Sequence, residues 1–273
     1  MQRKPLAYVS LKTVLQHMGP EIRFELTRRI PQIRLTEAIV PLKINFLELG
    51  ESYTKINGTT YEMRTFHEGN PVVNVKTLRI SNSGYILRMP VNLKLKINNL
   101  DGKVENSFCK ALNKIIHESS YPLNRVYVNC ISDDVNVLDH PLIRDAKTLN
   151  VNDVTLPRQQ RLPLLLNMQN PTVLVDSVGF LETNGMIALI RNLMGNFRPI
   201  GHKIRLNVLG FNTAFEILKQ FANQFDRTRI RCRNITIPMN HISTLQVSYA
   251  PKNRKTRDNG HFYLDMIVLS NNN

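Results

Sequence analysis

The stretch from Val91 to Cys130 reads VNLKLKINNLDGKVENSFCKALNKIIHESSYPLNRVYVNC. Its first ten residues alternate apolar and polar side chains, the pattern of a strand with one buried face, and NRVYVNC at its end does the same. Between them ENSFCKALNKIIHES has the wider apolar spacing of an amphipathic helix. A strand, a helix and a strand in succession predict a βα unit and a largely parallel sheet.

The same alternation continues toward the C-terminus. AKTLNVNDV, PTVLVDS, HKIRLNVL, STLQVSY and HFYLDMIVL read as strands, with ETNGMIALIRNLM and NTAFEILKQFANQF as helices among them. The centres near Val126, Leu149 and Leu174 lie roughly 23 to 25 residues apart, within the range of leucine-rich-repeat-like units. Later spacings lengthen, so residues 91–273 are expected to form an irregular leucine-rich-repeat-like βα interaction domain, with a compact open α/β sheet as the alternative.

Toward the N-terminus the pattern changes. LKINFLEL, YTKING and TTYEMRTF alternate, and Asn57-Gly58 stands between two of them, a strong hairpin signal. A β-hairpin or meander is expected over about residues 42–67. HEGNPVVNV and SNSGYILRMP, rich in Asn, Ser and Gly, read as a looser linker that completes a segment 42–90.

Residues 1–41 read as three short helices. Ser10 stands where an N-cap belongs, and Leu11, Val14, Leu15 and Met18 follow at helical spacing. Gly19 ends that helix, and Pro20 suits the first position of the next, EIRFELTRR, in which Arg28 and Arg29 complement the C-terminal dipole. Pro31 then opens PQIRLTEAIV. Helices this short are marginal alone and must pack as a cluster or against a partner. The fold class expected is therefore α+β or α/β, with a small N-terminal three-helix module ahead of the hairpin and the βα domain.

The order Leu6, apolar helix ending in Met18, Gly-Pro, second helix with Phe24 and Leu26, then Arg28-Arg29, resembles the F-box. PLAYVSLKTVLQHM with GPEIRFELTRRIPQIRLTEAIVPLKI is similar to the start of a nematode-expanded family of F-box-like proteins, in which a PLKI-type strand follows the helices and a domain of unknown function comes next. Tyr8-Val9 replaces the Leu-Pro of the general F-box pattern, and no Trp stands in the third helix. The resemblance implies that Leu6, Leu11, Val14, Leu15 and Met18 are adaptor-binding candidates, facing the adaptor subunit of a cullin-RING ubiquitin ligase. It also implies that the βα domain recruits a target for ubiquitination.

Composition bounds the remaining readings. The chain of 273 residues has 42% hydrophobic residues and can bury a sizeable core. It shows neither a secretory signal pattern nor an apolar run long enough to cross a bilayer, so no membrane partner is expected. Three widely spaced cysteines, Cys109, Cys130 and Cys232, suggest reduced thiols and an intracellular location, cytoplasmic or nuclear. The seven histidines are scattered without the close pairs of a zinc site. A formal charge of +15 favours acidic partners, either protein or nucleic acid, although 7% aromatics and no Trp make a poor base-stacking platform.

No catalytic constellation is legible, and neither an enzyme activity nor a cofactor is expected. GNFRPIGHK resembles a phosphate loop, but His202 separates Gly201 from Lys203 and Ile204 replaces the magnesium-binding hydroxyl. SDDVNVLD lacks the glycine and terminal glutamate of a calcium loop and reads as a solvated segment. Two basic stretches stand out as target-binding candidates. In RTRIRCR, Arg227, Arg229, Arg231 and Arg233 recur with period two, as on one face of a strand. KNRKTR places Lys252, Arg254, Lys255 and Arg257 in what reads as a hairpin loop. The expected function is a non-catalytic interaction protein resembling a ubiquitin-ligase substrate receptor. A basic nucleic-acid-binding protein is the alternative.

Overall fold

The computed structural model describes residues 8–50, 53–62, 72–80, 94–102, 106–131, 135–154, 156–196, 198–226, 228–252 and 260–271. Among them the chain is of the α+β class, with helices and a mixture of parallel and antiparallel strand pairs. It divides into two compact units, Met1–Arg125 and Val126–Asn273.

The first unit begins with α1 (Tyr8–His17), α2 (Pro20–Arg29) and α3 (Arg34–Ile39), the last preceded by a 3-10 turn at Pro31–Ile33. Helix α1 starts before Ser10, which therefore lies within the helix and not at its cap; no Gly or Pro stands between Tyr8 and Ser10 to stop the helix there. Pro20 does open α2, where its fixed φ costs no hydrogen bond. Leu15 and Arg23 are buried, and α3 contacts both α1 and α2.

Three antiparallel strands follow: β1 (Lys43–Leu49), β2 (Tyr53–Ile56) and β3 (Thr59–Glu62). Asn57 and Gly58, with φ of 50° and 109°, form the expected turn between β2 and β3. The Asn57 side-chain oxygen also accepts from the N–H groups of Asn45 and Phe46, at 3.0 and 3.1 Å, and ties the turn to β1.

The segment expected to be a loose linker contains a nine-residue strand, β4 (Val72–Ile80), which pairs in parallel with both β1 and β5 (Lys94–Gly102). Its buried residues Val75, Leu78 and Ile80 occupy both faces, so the simple alternation of a half-buried strand is absent. The strand order in this unit is β5-β4-β1-β2-β3. After β5, α4 (Asn106–Ile115) buries Cys109, Leu112 and Ile115 and leads to a bridge between Ile116 and Leu95 of β5.

The second unit opens with β6 (Arg125–Ile131), then α5 (Pro141–Arg144), β7 (Thr148–Val154), α6 (Arg158–Asn167), β8 (Thr172–Val175), α7 (Thr183–Gly195), β9 (Lys203–Leu209) and α8 (Phe211–Gln224). It ends with β10 (Arg229–Arg231), β11 (Asn234–Pro238), β12 (Ser243–Pro251) and β13 (His261–Ser270). The strand order is β10-β11-β12-β13-β9-β8-β7-β6. Pairs β7–β8 and β8–β9 are parallel, as the alternation with helices requires. Beyond β9 the expectation of a largely parallel sheet fails, because β10 to β13 return by direct reversals and every pair from β10–β11 to β13–β9 is antiparallel.

One face of β9, β12 and β13 is apolar and buried, while Asn207 and Asp265 are buried polar residues on the other. Ile204, Leu206 and Val208 of β9 share a buried face with Phe262, Leu264 and Met266 of β13, and with Leu245, Val247 and Tyr249 of β12. Helix α8 lies against these strands with Ala214, Ile217, Leu218 and Phe221 buried. Truncating one such Leu or Ile to Ala costs about 2–5 kcal/mol.

Candidate functional site

In the first unit the helices are joined from within. The Arg23 guanidinium, 1% exposed, donates from Nη2 to the backbone oxygens of Glu37 and Val40 at 3.0 and 2.9 Å and to Glu37 Oε1 at 2.7 Å. Its Nη1 donates to the Pro41 oxygen at 3.1 Å. One side chain of α2 thus supplies donors to the carbonyls at and just past the end of α3, of which Glu37 also accepts from the Val40 N–H, and a cation there suits the helix dipole. Thr59 on β3 donates to Glu21 on α2 at 2.6 Å, linking the helices to the hairpin. At the exposed end of α2, hydrogen bonds from Arg28 and then Arg29 hold the Glu25 carboxyl down to about 2.

Six-residue α3 leaves an apolar stripe uncovered. Leu35 and Ile39, one turn apart, are 84% and 58% exposed, and Ala38 beside them is exposed. Val14 on α1 and Ile22 and Phe24 on α2 are also exposed. Of the residues singled out from the sequence, Val14 is open to solvent, Leu11 and Met18 are half-buried and Leu15 is wholly buried. Leu6 lies outside the described residues.

In the second unit the sheet face opposite α8 is polar, and strand register sorts it into rows. One row runs Arg229, Thr236, Gln246, Ile267, Lys203 and Thr172. The next runs Arg231, Asn234, Ser248, Asp265, Arg205 and Leu174. Near the middle Arg205 grips Asp265 with two hydrogen bonds of 2.6 and 2.7 Å, and Lys203 lies 3.2 Å from the same carboxylate. Burial opposes the charge on Asp265, but Arg205 and Lys203 outweigh it and hold this carboxyl below its ordinary range. The Tyr263 ring lies between Arg205 and Lys252, at 4.7 and 5.6 Å from its centroid. Lys252 pairs with Asp176 at 2.6 Å, and buried Asn207 donates to the same carboxylate.

The four-arginine strand face is shorter than the alternation predicts. Strand β10 ends at Arg231, and Cys232 and Arg233 form the turn into β11, so Arg229 and Arg231 share a face while Arg233 stands at the reversal. All three are exposed. Lys252 is occupied by Asp176. Arg227, Arg254, Lys255 and Arg257 lie outside the described residues, as do Asp133 and Asp134. The phosphate-loop look-alike sits between α7 and β9, helix before strand, the reverse of the strand-to-helix order that points amide groups at a phosphate. Among the described residues no group of three acidic, His or Cys side chains forms a metal cage, and no helix is long and apolar enough to cross a membrane.

Residues 63–208, more than half of the chain, match one family profile. The chain belongs to the family described as domain of unknown function (DUF3557). The DUF3557 match spans β4 to β9, and so includes β4, which lies between β5 and β1, and the parallel run β7-β8-β9, while α1 to α3 and β1 to β3 precede or border it. No curated protein and no solved structure matches the chain.

Proposed function

We propose that the protein is a non-catalytic interaction protein of the substrate-receptor kind. Its N-terminal helices dock the adaptor subunit of a cullin-RING ubiquitin ligase, and its βα part, an irregular leucine-rich-repeat-like array, recruits a target. The observation that carries this reading is the α3 stripe: Leu35 and Ile39 stay in water although Arg23 and Leu15 already hold the helices together from inside. An apolar surface that the internal packing does not need is the kind that a partner covers. The consecutive neighbours β6-β7-β8-β9 support an array-like target domain, with each strand beside the one that follows it in the chain.

The test is capture of the purified adaptor subunit by the full chain, with Leu35→Asp and Ile39→Asp as the contrasting variants. Capture by the wild type and its loss in both variants, with unchanged melting temperatures, is the expected result. No capture by the wild type, or capture indifferent to both changes, would overturn the receptor reading.

A further inference from the structure

We propose that the free edge of β10 accepts an extended acidic segment of a target protein as an added strand. The segment's carboxylates, at every second position, meet Arg229 and Arg231. The inference rests on reading the second unit as the target-recruiting part, and it is independent of adaptor docking.

The backbone alternation can be read from the neighbouring ladder. Tyr249 N–H donates to the Arg233 oxygen at 3.2 Å, which makes the opposed residues Asn234 and Ser248 a non-hydrogen-bonded pair. Asn234 therefore turns its N–H and C=O toward β10, where its partner is Arg231. The next pair, Ile230 with Ile235, is non-hydrogen-bonded, so the N–H and C=O of Ile230 point away from β11. Strand β10 stands at the end of the strand order, and among the described residues no strand pairs with that side. The edge thus presents a donor and an acceptor at Ile230, flanked by two guanidinium groups that form no ion pair among the described residues.

Pairing there fixes a register. A residue set opposite Ile230 turns its own N–H and C=O to β10, and its side chain falls on the face where Ile235 and Val247 are buried. Its two neighbours stand opposite Arg229 and Arg231 on the polar face. The matching segment reads acid–apolar–acid. Guanidinium forks suit carboxylates, and the chain's formal charge of +15 speeds approach by an acidic partner. Three residues are too few for pairing by backbone alone, so the charges supply the selection.

Four fluorescein-labelled peptides built on the same amino acids test the proposal by anisotropy against the full chain. One alternates acidic and apolar residues; the second carries the acids in a block; the third is the alternating peptide with N-methyl groups on the apolar residues. A fourth, methylated on the acidic residues, blocks only the amides that face away from β10. The alternating and fourth peptides are expected to bind alike, and the block and third peptides at least about tenfold more weakly. Arg229→Glu with Arg231→Glu should weaken the alternating peptide at least about tenfold at low salt, with an unchanged melting temperature.

Equal binding of all four peptides, or binding indifferent to the double variant, would overturn strand addition. So would a single-stranded oligonucleotide of equal charge that binds more tightly than the alternating peptide and loses its binding in the double variant. Adaptor capture measured on the same preparations separates the two readings: peptide binding without capture sinks the receptor reading alone, and capture without selective peptide binding sinks only this one.

Discussion

Arg23 Nη2 and Glu37 Oε1 meet at 2.7 Å, with the arginine side chain almost fully buried and the glutamate one-fifth exposed. The pair joins α2 to α3, but the larger part of the arginine's work is done on backbone carbonyls, since Glu37, Val40 and Pro41 all accept from it. A buried guanidinium is costly unless its donors are matched; four contacts of Nη1 and Nη2 lie within 3.1 Å, while Nε has no partner among the described residues.

Arg23→Ala should therefore destabilise the first unit by about 3 kcal/mol, because carbonyls are left buried without donors. Arg23→Lys should recover little of this, since an ammonium lacks the fork that reaches several carbonyls at once. Glu37→Gln should cost no more than about 1 kcal/mol, the neutral amide still accepting from Nη2. Urea midpoints of the full chain and its variants check the order; a lysine variant as stable as wild type would show that a point charge suffices.

Leu15 and Leu35 are expected to respond in opposite ways. Leu15→Ala removes a wholly buried side chain and should cost about 2–5 kcal/mol. Leu35→Ala, at a site 84% exposed, should change stability by less than about 0.5 kcal/mol. Paired thermal melts decide it; a destabilised Leu35 variant would place that residue in the internal packing.

His202 links stability to pH. It is 3% exposed, its Nε2 has no partner among the described residues, and burial, with a smaller contribution from Arg198, holds its pKa down to about 4 against an ordinary 6.5. The unfolded chain takes up a proton near pH 6.5 that the folded chain refuses. Stability is therefore complete above that pH and falls as pH drops from 6.5 toward 4. The loss is at most about 3 kcal/mol. His202→Leu should flatten this part of the profile, measured as the difference in denaturant midpoint between wild type and variant across the window. Parallel profiles would absolve His202.

Asp265→Asn should cost about 2 kcal/mol, since it leaves Arg205 and Lys203 without their anion on a half-exposed face. The double change with Arg205→Gln should cost less than the sum of the two single changes. A double-mutant cycle on thermal unfolding measures the coupling, and strict additivity would mean that the pair contributes nothing.

The strands with one buried face were legible because their period is visible, and KINFLEL, KIRLNVL and STLQVSY all show it. The Asn57-Gly58 turn was legible because both positions need φ above zero. Strand β4 was not, since it is covered on both faces and lies amid Asn-, Ser- and Gly-rich sequence. Helix α6 was hidden by Pro163 within it. The arginine run showed its period but not its end, because Cys232-Arg233 carries no Gly or Asn to mark a turn. The α3 stripe was the least legible. Leu35 and Leu15 look alike in sequence, and only the packing of α1 against α3 decides which one is covered.

Strand β13 lies between β9 and β12, in the middle of the second unit's sheet rather than at its border. Fifty-one residues separate Leu209, where β9 ends, from His261, which pairs with it. β9 and the β11–β12 hairpin thus precede in the chain the strand that joins them, and without residues 261–270 each has an open hydrogen-bonding border. A chain that stops before His261 leaves the borders of β9 and β12 unpaired together, where loss of an outer strand would open only one, and it invites self-association.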